Sequence, residues 1–595
     1  MSDTRQLVAS FVVVILIGIA GYLASGYIQY SGDLVVDRYE AVFSPDGTLT
    51  ETYVYDVSTS GKYTMLFRTW KVPLIDPEEP DLNSPYIQAT DVNCPSGFTS
   101  YIKNYAGTVV TSDESKKFAI DSMAYLNEAG CYLPWFDKGK YTITFRYHVY
   151  PPMECDESFC HLNLMLSDEH VPYRDVRIVL KDPSSYVQKI FQHPPDFSVS
   201  RSDNDWIIAG KSPQNGLIEV EMLVNPAASD KFITRSRNIE NKTGSVNSLY
   251  SIFYLLLSGF KYGLIAAVLG FPLILYFLYL KYGKETEFTV PRYLSYIPGK
   301  RKPWFVNMVF KGDAFDFDEN GFFATLLDMH RREFIKIEQD EKKDDVRIKL
   351  LKEPGDAEDP YEKDVLSFLL HWSDYGTFDT DKFKGKVKSL AGKQDQISSL
   401  KMRMDRIMKK AYPEIAENFA VGGRGKFLIL SAVLIGLTIV LLASQSYTYP
   451  ILGESAVYSA TLALQSLFIG AFTTSTLFGR WKGEYYKEKM EWDAFRNFLS
   501  DMAMIEKYSP EDIVIWKDWL VYGTALGVGE KVVKAMNALK IEIPEVHIAP
   551  IIFTSFHSVN TRVATAYSLA TSGGHGGGGG FGGGGGFGGG GAGGR

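Results

Sequence analysis

The sequence predicts a multi-domain membrane protein: an extracytoplasmic all-β sandwich, α-helical transmembrane segments and a winged-helix-like α+β cytoplasmic module. Three observations carry this reading. Several runs are uncharged over the ~20 residues that a helix needs to cross a hydrocarbon core of about 30 Å. All four cysteines lie between the first two such runs. Alternation with a period of two, the mark of a half-buried strand, recurs in the same interval. The whole-chain averages hide this segregation, since 45% hydrophobic and 22% charged residues with a mean hydropathy of -0.08 would suit a soluble protein. A net charge of -8 gives no general electrostatic reason to bind nucleic acid.

Residues 1–30 form an N-terminal transmembrane anchor or signal. No charge occurs from Gln6 to Ser31. A lone Arg5, the run VVVILIGIA and the small residues Ala24, Ser25 and Gly26 would also suit a cleaved signal, but a retained anchor is the preferred reading. Residues 31–250 form the extracytoplasmic domain. In KYTITFRYHVY, Tyr141, Ile143, Phe145, Tyr147 and Val149 alternate with polar residues, which turns His148 toward solvent. TLTETYVYDV, YTMLFRTWKV, YRDVRIVL, DWIIAG and GLIEVEMLV repeat the pattern between turn residues, as in an antiparallel sandwich. The interval holds 20 Lys/Arg against 30 Asp/Glu, so the acidity belongs to this domain.

Cys94, Cys131, Cys155 and Cys160 fit disulfides, which persist outside the cytosol. Three pairings are open in principle; Cys155 with Cys160 and Cys94 with Cys131 are preferred. The competing reading is a metal site of Cys155, Cys160, His161 and His148, for which C-x4-C-H is an unusual ligand spacing. Asn241 in NKT is a glycosylation candidate.

The second span, residues 263–282, is followed by Lys284, Arg292, Lys300, Arg301 and Lys302, which puts its end in the cytoplasm. Residues 426–479 form a transmembrane hairpin with Arg424 and Lys426 before it and Arg480 and Lys482 after it. The expected protein is a multi-pass cell-membrane protein with both termini cytoplasmic. No span has an ionisable residue at its centre, which argues against an ion pathway.

In the cytoplasmic domain, residues 283–425, GFFATLLDMHRR has helical spacing, and FIKIEQ with VRIKLL flanks the turn DEKKDD as a hairpin. A helix followed by a hairpin suggests a winged helix. Its 26 Lys/Arg balance 26 Asp/Glu, so a protein contact is preferred to DNA. Asp316, Asp318, Asn320 and Gly321 imitate the start of a calcium loop, but Leu327 stands where the bidentate Glu belongs; Asn320 reads as the cap of a helix beginning at Phe322. Residues 480–572 read as a helical region in which IVIWKDWLVYGTALGV is a core helix. The tail, residues 573–595, has 18 glycines in 23 residues and is expected to be disordered, with Phe581 and Phe587 as weak stickers at most.

No HExxH, GxSxG or Walker pattern occurs, and ALGVGEKV lacks a dinucleotide fingerprint's third glycine. The expectation is therefore a non-enzymatic scaffold or interaction protein without cofactors, whose partners are the lipid bilayer and other proteins. The alternative is a signal-transducing receptor.

In their order along the chain, SPDGTLTETYVYDV, KYTITFRYHV, KYGKE, GFFATLLDMHRREFIKIE, WDAFRNFL, DWLVYGTALGV and the glycine-rich end resemble the YciQ-like predicted membrane proteins, a domain of unknown function. The resemblance covers nearly the whole chain. Arg332-Glu333 stands where similar proteins have Arg-Gly, and Val521-Tyr522-Gly523 where they have Pro-Tyr-Ala. The family implies no activity and no catalytic residue.

Overall fold

The computed structural model describes residues 3–226, 232–339, 345–390, 393–445, 449–508, 512–541, 543–571 and 588–595. Helix α1 (Asp3–Tyr30) precedes β1 (Leu34–Phe43), β2 (Thr48–Val57), β3 (Met65–Thr69), β4 (Leu74–Ile75), β5 (Tyr86–Asn93), β6 (Thr99–Lys103) and β7 (Val109–Thr111). A short helix, α2 (Lys117–Met123), leads to β8 (Glu128–Tyr132), β9 (Gly139–Tyr150), β10 (Met153–Cys155), β11 (Cys160–Ser167), β12 (Tyr173–Leu180) and β13 (Val187–His193). β14 (Ser198–Ser202), β15 (Asp205–Ser212), β16 (Ile218–Val224) and β17 (Ile233–Arg235) run up to the long helix α3 (Ile239–Leu278).

Beyond it lie α4 (Pro303–Phe310), α5 (Glu319–Arg331), β18 (Ile335–Gln339), β19 (Val346–Leu350), α6 (Pro360–Trp372), β20 (Thr377–Asp379), α7 (Thr380–Leu390), α8 (Gln394–Asp405), α9 (Pro413–Ala416) and β21 (Ala420–Val421). The helical pair α10 (Arg424–Ala443) and α11 (Ile451–Phe472) follows. After it come β22 (Arg480–Trp481), α12 (Tyr485–Ser500), α13 (Met502–Ile505), α14 (Ile513–Ala525), α15 (Gly529–Ala538), α16 (Pro544–Thr571) and β23 (Ala592–Gly594). The chain forms two compact units. One holds Val12–Phe271, Leu430–Ser466 and the described end of the chain; the other holds the chain up to Phe11, Pro272–Ile429 and Leu467 to the end of α16.

In the first unit the strands form an eight-stranded sheet, β14-β15-β12-β1-β2-β9-β5-β4, and two five-stranded sheets, β13-β16-β11-β10-β17 and β23-β3-β8-β6-β7. Alternation explains the sandwich: Leu49, Tyr53, Tyr55 and Val57 of β2 and Ile143, Phe145, Tyr147 and Val149 of β9 are buried in one core. The expected antiparallel order has exceptions, because β1 pairs in parallel with β12 and β4 with β5. β1 and β12 are far apart in sequence, so no tight turn dictates their relative direction. Glu51 occupies an inward position of β2 and is fully buried. It accepts from Arg68 Nε (3.0 Å) and from the Tyr39 hydroxyl (2.6 Å), and the Arg68 guanidinium lies 3.5 Å from the Trp70 ring centroid.

Among the described residues four helices, α1, α3, α10 and α11, are long and apolar enough to cross a membrane. The second starts earlier than the expected residue 263: α3 is helical from Ile239, and its early apolar side chains Leu249, Ile252 and Leu255 are exposed. Lys261, within this helix, pairs with Glu454 at 2.9 Å. Polar side chains tie the helices together. Ser431 donates to the Ala463 carbonyl, Ser459 to that of Leu434, and Gln465 Nε2 to those of Val14 (2.9 Å) and Val268 (3.2 Å). Gly21 lets α1 approach α11, since a Cβ there would lie 2.2 Å from Thr461 Oγ1. Gln465→Leu is expected to cost about 0.6–1.7 kcal/mol, the range of interhelical hydrogen bonds in membranes; a thermal shift of the purified protein measures it.

In the second unit, α5 is amphipathic, burying Phe322, Phe323, Leu326 and Leu327. Its cap is Asp318, which accepts from the Asn320 amide, so the helix starts before the expected Asn320 cap: a short carboxylate satisfies the free N–H groups of the first turn. β18 and β19 pair antiparallel in the expected order after α5, and β20 adds a third strand. The turn residues 340–344 lie outside the described residues. Residues 283–425 and 480–572, read from sequence as separate regions, share one hydrophobic core. Phe310 stacks on Trp492 (6.1 Å between centroids), and Phe322 meets Phe556 edge-on at 5.1 Å. The intervening α10–α11 hairpin separates these halves in sequence without dividing their core.

Candidate functional site

The edge of β3 holds the end of the chain. β23 pairs antiparallel with β3, setting Ala592 against Arg68, Gly593 against Phe67 and Gly594 against Leu66. The Met65 amide donates to the Arg595 carbonyl (2.9 Å), the Thr69 amide to Gly591 (2.8 Å) and the Lys71 amide to Gly588 (2.9 Å). On the other side the Asp168 amide donates to the Gly590 carbonyl (3.0 Å) and the Val171 amide to that of Ala592 (3.2 Å). Gly590 N returns a bond to Asp168 Oδ1 at 2.7 Å. Backbone groups on both walls thus hold the segment, of which Ala592–Gly594 is a strand, in the pattern of strand addition.

The expected disorder of residues 573–595 therefore does not extend to Gly588–Arg595. Residues 572–587, with Phe581 and Phe587, lie outside the described residues. Glycine is what lets the segment enter. A Cβ on Gly591 would lie 1.3 Å from the Glu169 carbonyl oxygen, and one on Gly588 or Gly590 would lie 2.4 Å from that of Met165 or 2.2 Å from that of Thr69. Gly588 (φ +106°) and Gly590 (φ +100°) also adopt backbone that side chains disfavour. The segment's lone alanine, Ala592, is buried in the sandwich core.

Arg595 supplies the charge. Its guanidinium pairs with Glu128 at 2.5 Å and lies 4.2 Å and 3.8 Å from the ring centroids of Phe67 and Tyr125. Glu128 is fully buried on β8 and also accepts from the Tyr101 hydroxyl at 2.7 Å. Burial pushes its carboxyl above the usual range, while the Arg595 charge and the Tyr101 bond pull it back.

Disulfides join Cys94 to Cys131 and Cys155 to Cys160. The first staples the strand that carries Glu128; the second closes the β10–β11 hairpin. The sulfurs are thus committed, and the residues of the alternative metal reading do not converge: His148 lies on β9 of the eight-stranded sheet, whereas His161 lies on β11 and meets Glu221. Asn241 is exposed in the first turn of α3. In the second unit, the calcium-like acids are used otherwise. Asp318 caps α5, Asp316 faces Arg424 at 3.8 Å, and Leu327 is core. A polar cleft of about 1020 Å³ borders Asp316, where Asp313 accepts from the Ser475 amide and hydroxyl, both at 2.8 Å, and faces Arg424 at 3.4 Å. Burial holds the Asp313 carboxyl above its ordinary range. Lys489–Asp493 and Lys311–Asp318 are paired as well, so these charges read as a staple.

Sequence reasoning missed Glu128, Arg595 and the tail's partner strand. A signal was present: one alanine and one arginine break an otherwise all-glycine end. The pairing also bears on topology. With the expected topology, in which α3, α10 and α11 each cross the membrane, a cytoplasmic Arg595 and an Arg595 paired to an external β3 would exclude each other within one inserted chain.

No curated protein matches the chain. Two family descriptions do: residues 35–224 match "Predicted membrane protein (DUF2207) N-terminal domain", and residues 290–536 match the corresponding C-terminal domain. The first match runs from β1 to β16, and the second runs from before α4 into α15 and takes in the α10–α11 hairpin. Since the two together cover more than half of the sequence, the chain belongs to the DUF2207 family of predicted membrane proteins.

Proposed function

We propose that this protein is a non-enzymatic interaction scaffold of the cell membrane whose β domain, outside the cytosol, binds partners by strand addition along β3. The observation that carries the reading is the Gly588–Arg595 segment, held by backbone on both walls, selected for glycine by steric exclusion and anchored on a buried carboxylate. α1 is read as a retained anchor because Val14 and Gly21 pack against α11. The disulfides favour the outside for the β domain, and the cations flanking α3, α10 and α11 favour the inside for the helical core. Inside, the α5 helix and β18–β19 hairpin serve as a winged-helix-like protein contact. With that topology the groove takes a glycine-rich strand from a partner on the outer face, and the chain's own end is the pattern for what fits.

Impermeant thiol labelling of intact cells tests the topology. A cysteine at the exposed Ser184 is expected to react and one at the exposed Ser389 is not. Labelling at Ser389 overturns the assignment. Binding is tested on protein truncated after Ser572, purified in detergent and titrated with a labelled peptide of residues 587–595. One-to-one saturable binding is expected, weakened by Glu128→Gln roughly 10- to 100-fold, because charged hydrogen bonds contribute about 1.5–3 kcal/mol. The bound arginine requires an ionised Glu128, whose carboxyl burial raises and the Arg595 charge lowers, so binding is expected to tighten as pH rises through that carboxyl's range. Equal affinity for wild type and Glu128→Gln counts against the site.

A further inference from the structure

At the base of α3 a second cluster draws on three adjacent strands. His161 and Asn163 lie two apart on β11, Glu219 and Glu221 two apart on β16, and His193 ends β13. A period of two puts each pair on one face of its strand. The register brings them together, with Asn163 opposite Glu221 and His193 opposite Glu219. His161 Nε2 lies 2.9 Å from Glu221 Oε2, and His193 Nε2 lies 3.0 Å from Glu221 Oε1. The ligand atoms of His193, Glu219 and Glu221 all lie within 4.8 Å of one another. Asn247 of α3 completes the arrangement by donating to Glu221 Oε2 (3.0 Å) and to the Thr243 carbonyl (3.0 Å).

A charge-satisfied core network is the competing explanation, and the charges argue against it. Glu219 and His193 are buried, and Glu221 keeps a little exposure. Among the described residues no lysine or arginine pairs with either carboxylate, whereas most acids buried elsewhere in this domain have one, as Glu51 has Arg68 and Glu128 has Arg595. Carboxylates placed here without a cation are costly to bury. A divalent ion removes that cost. Its tetrahedral ligands sit about 2.0–2.2 Å from it and hence roughly 3.3 Å from one another, close to the two His–Glu221 separations; these run to the two oxygens of one carboxylate, so His161 and Glu219 both have to move inward to share an ion with His193 and Glu221.

We propose that His161, His193, Glu219 and Glu221 bind one divalent transition-type cation, of which Zn²⁺ is the representative, and that Asn247 couples the filled site to α3. Two imidazoles with two carboxylates suit zinc, cobalt or nickel; calcium and magnesium prefer all-oxygen sites. Asn247 is the outer partner that orients Glu221, as such groups do around bound metals. The ion would clamp three strands of the β domain to the start of a membrane helix, a role independent of strand addition at β3.

The test uses the full-length protein in detergent, stripped with EDTA and reloaded with Zn²⁺ or Ca²⁺. After gel filtration, one equivalent of zinc and no calcium should remain. Co²⁺ should give the visible absorption of a tetrahedral site. His193→Gln and Glu221→Gln, each with its thermal transition checked, should weaken zinc binding at least 100-fold. On the unmutated protein, saturating Zn²⁺ should shield His161 and His193 from diethyl pyrocarbonate, read by peptide mass spectrometry. Equal modification of both histidines with and without Zn²⁺, or full zinc retention in a folded His193→Gln protein, overturns the proposal.

Discussion

Arg68→Ala should destabilise the β domain by about 3–5 kcal/mol, the cost of removing one partner from a buried ion pair. Arg68 and Glu51 have no exposed side-chain surface, and Glu51 would keep one donor, the Tyr39 hydroxyl. Arg68 does more than neutralise. It bonds the carbonyls of Thr69 and Leu166 and stacks on Trp70, so the truncation leaves two acceptors and an aromatic face without their partner. Pulse proteolysis in urea, read at β-domain cleavage sites, reports the change. The double variant Arg68→Met/Glu51→Leu should recover most of the loss, because replacing a whole buried pair by apolar side chains is often close to neutral. A double variant as unstable as Arg68→Ala would mean that the lost packing, and not the stranded carboxylate, sets the cost.

Gly591→Val in the labelled peptide should abolish binding, by at least 100-fold. The clash is with a backbone atom, the carbonyl oxygen of Glu169, so no rotamer change relieves it. Gly590→Ala should be nearly as damaging, since it adds a contact 2.2 Å from the Thr69 carbonyl to a left-handed backbone. Ala592→Gly is the control. It loses one buried methyl, worth about 0.8 kcal/mol or roughly a fourfold change in affinity. Competition titration ranks the three, and a Gly591→Val peptide as strong as the parent would show that the segment binds elsewhere.

Much of the fold was legible because its signals are local. Alternation in β2 and β9, the uncharged helices and the segregation of the cysteines each show in a short window. What failed depended on long-range pairing. Gly591 and Thr69 meet across the whole chain, and composition alone makes a glycine run look formless until a wall of carbonyls is known to face it. The single core shared by Phe322 and Phe556 was hidden by a membrane hairpin inserted between its halves. The alternation of Glu219 and Glu221 was visible, but only the register of β13 and β11 adds His193 and His161. Asp318 rather than Asn320 caps α5, an error of local spacing alone.

The most direct test of strand addition is amide hydrogen exchange over residues 64–71. In the structure the Met65, Thr69 and Lys71 amides donate to Arg595, Gly591 and Gly588. In protein truncated after Ser572 these amides should exchange quickly, and saturating peptide of residues 587–595 should restore their protection while leaving β2 and β9 unchanged. Identical exchange of residues 64–71 with and without the peptide would contradict the account.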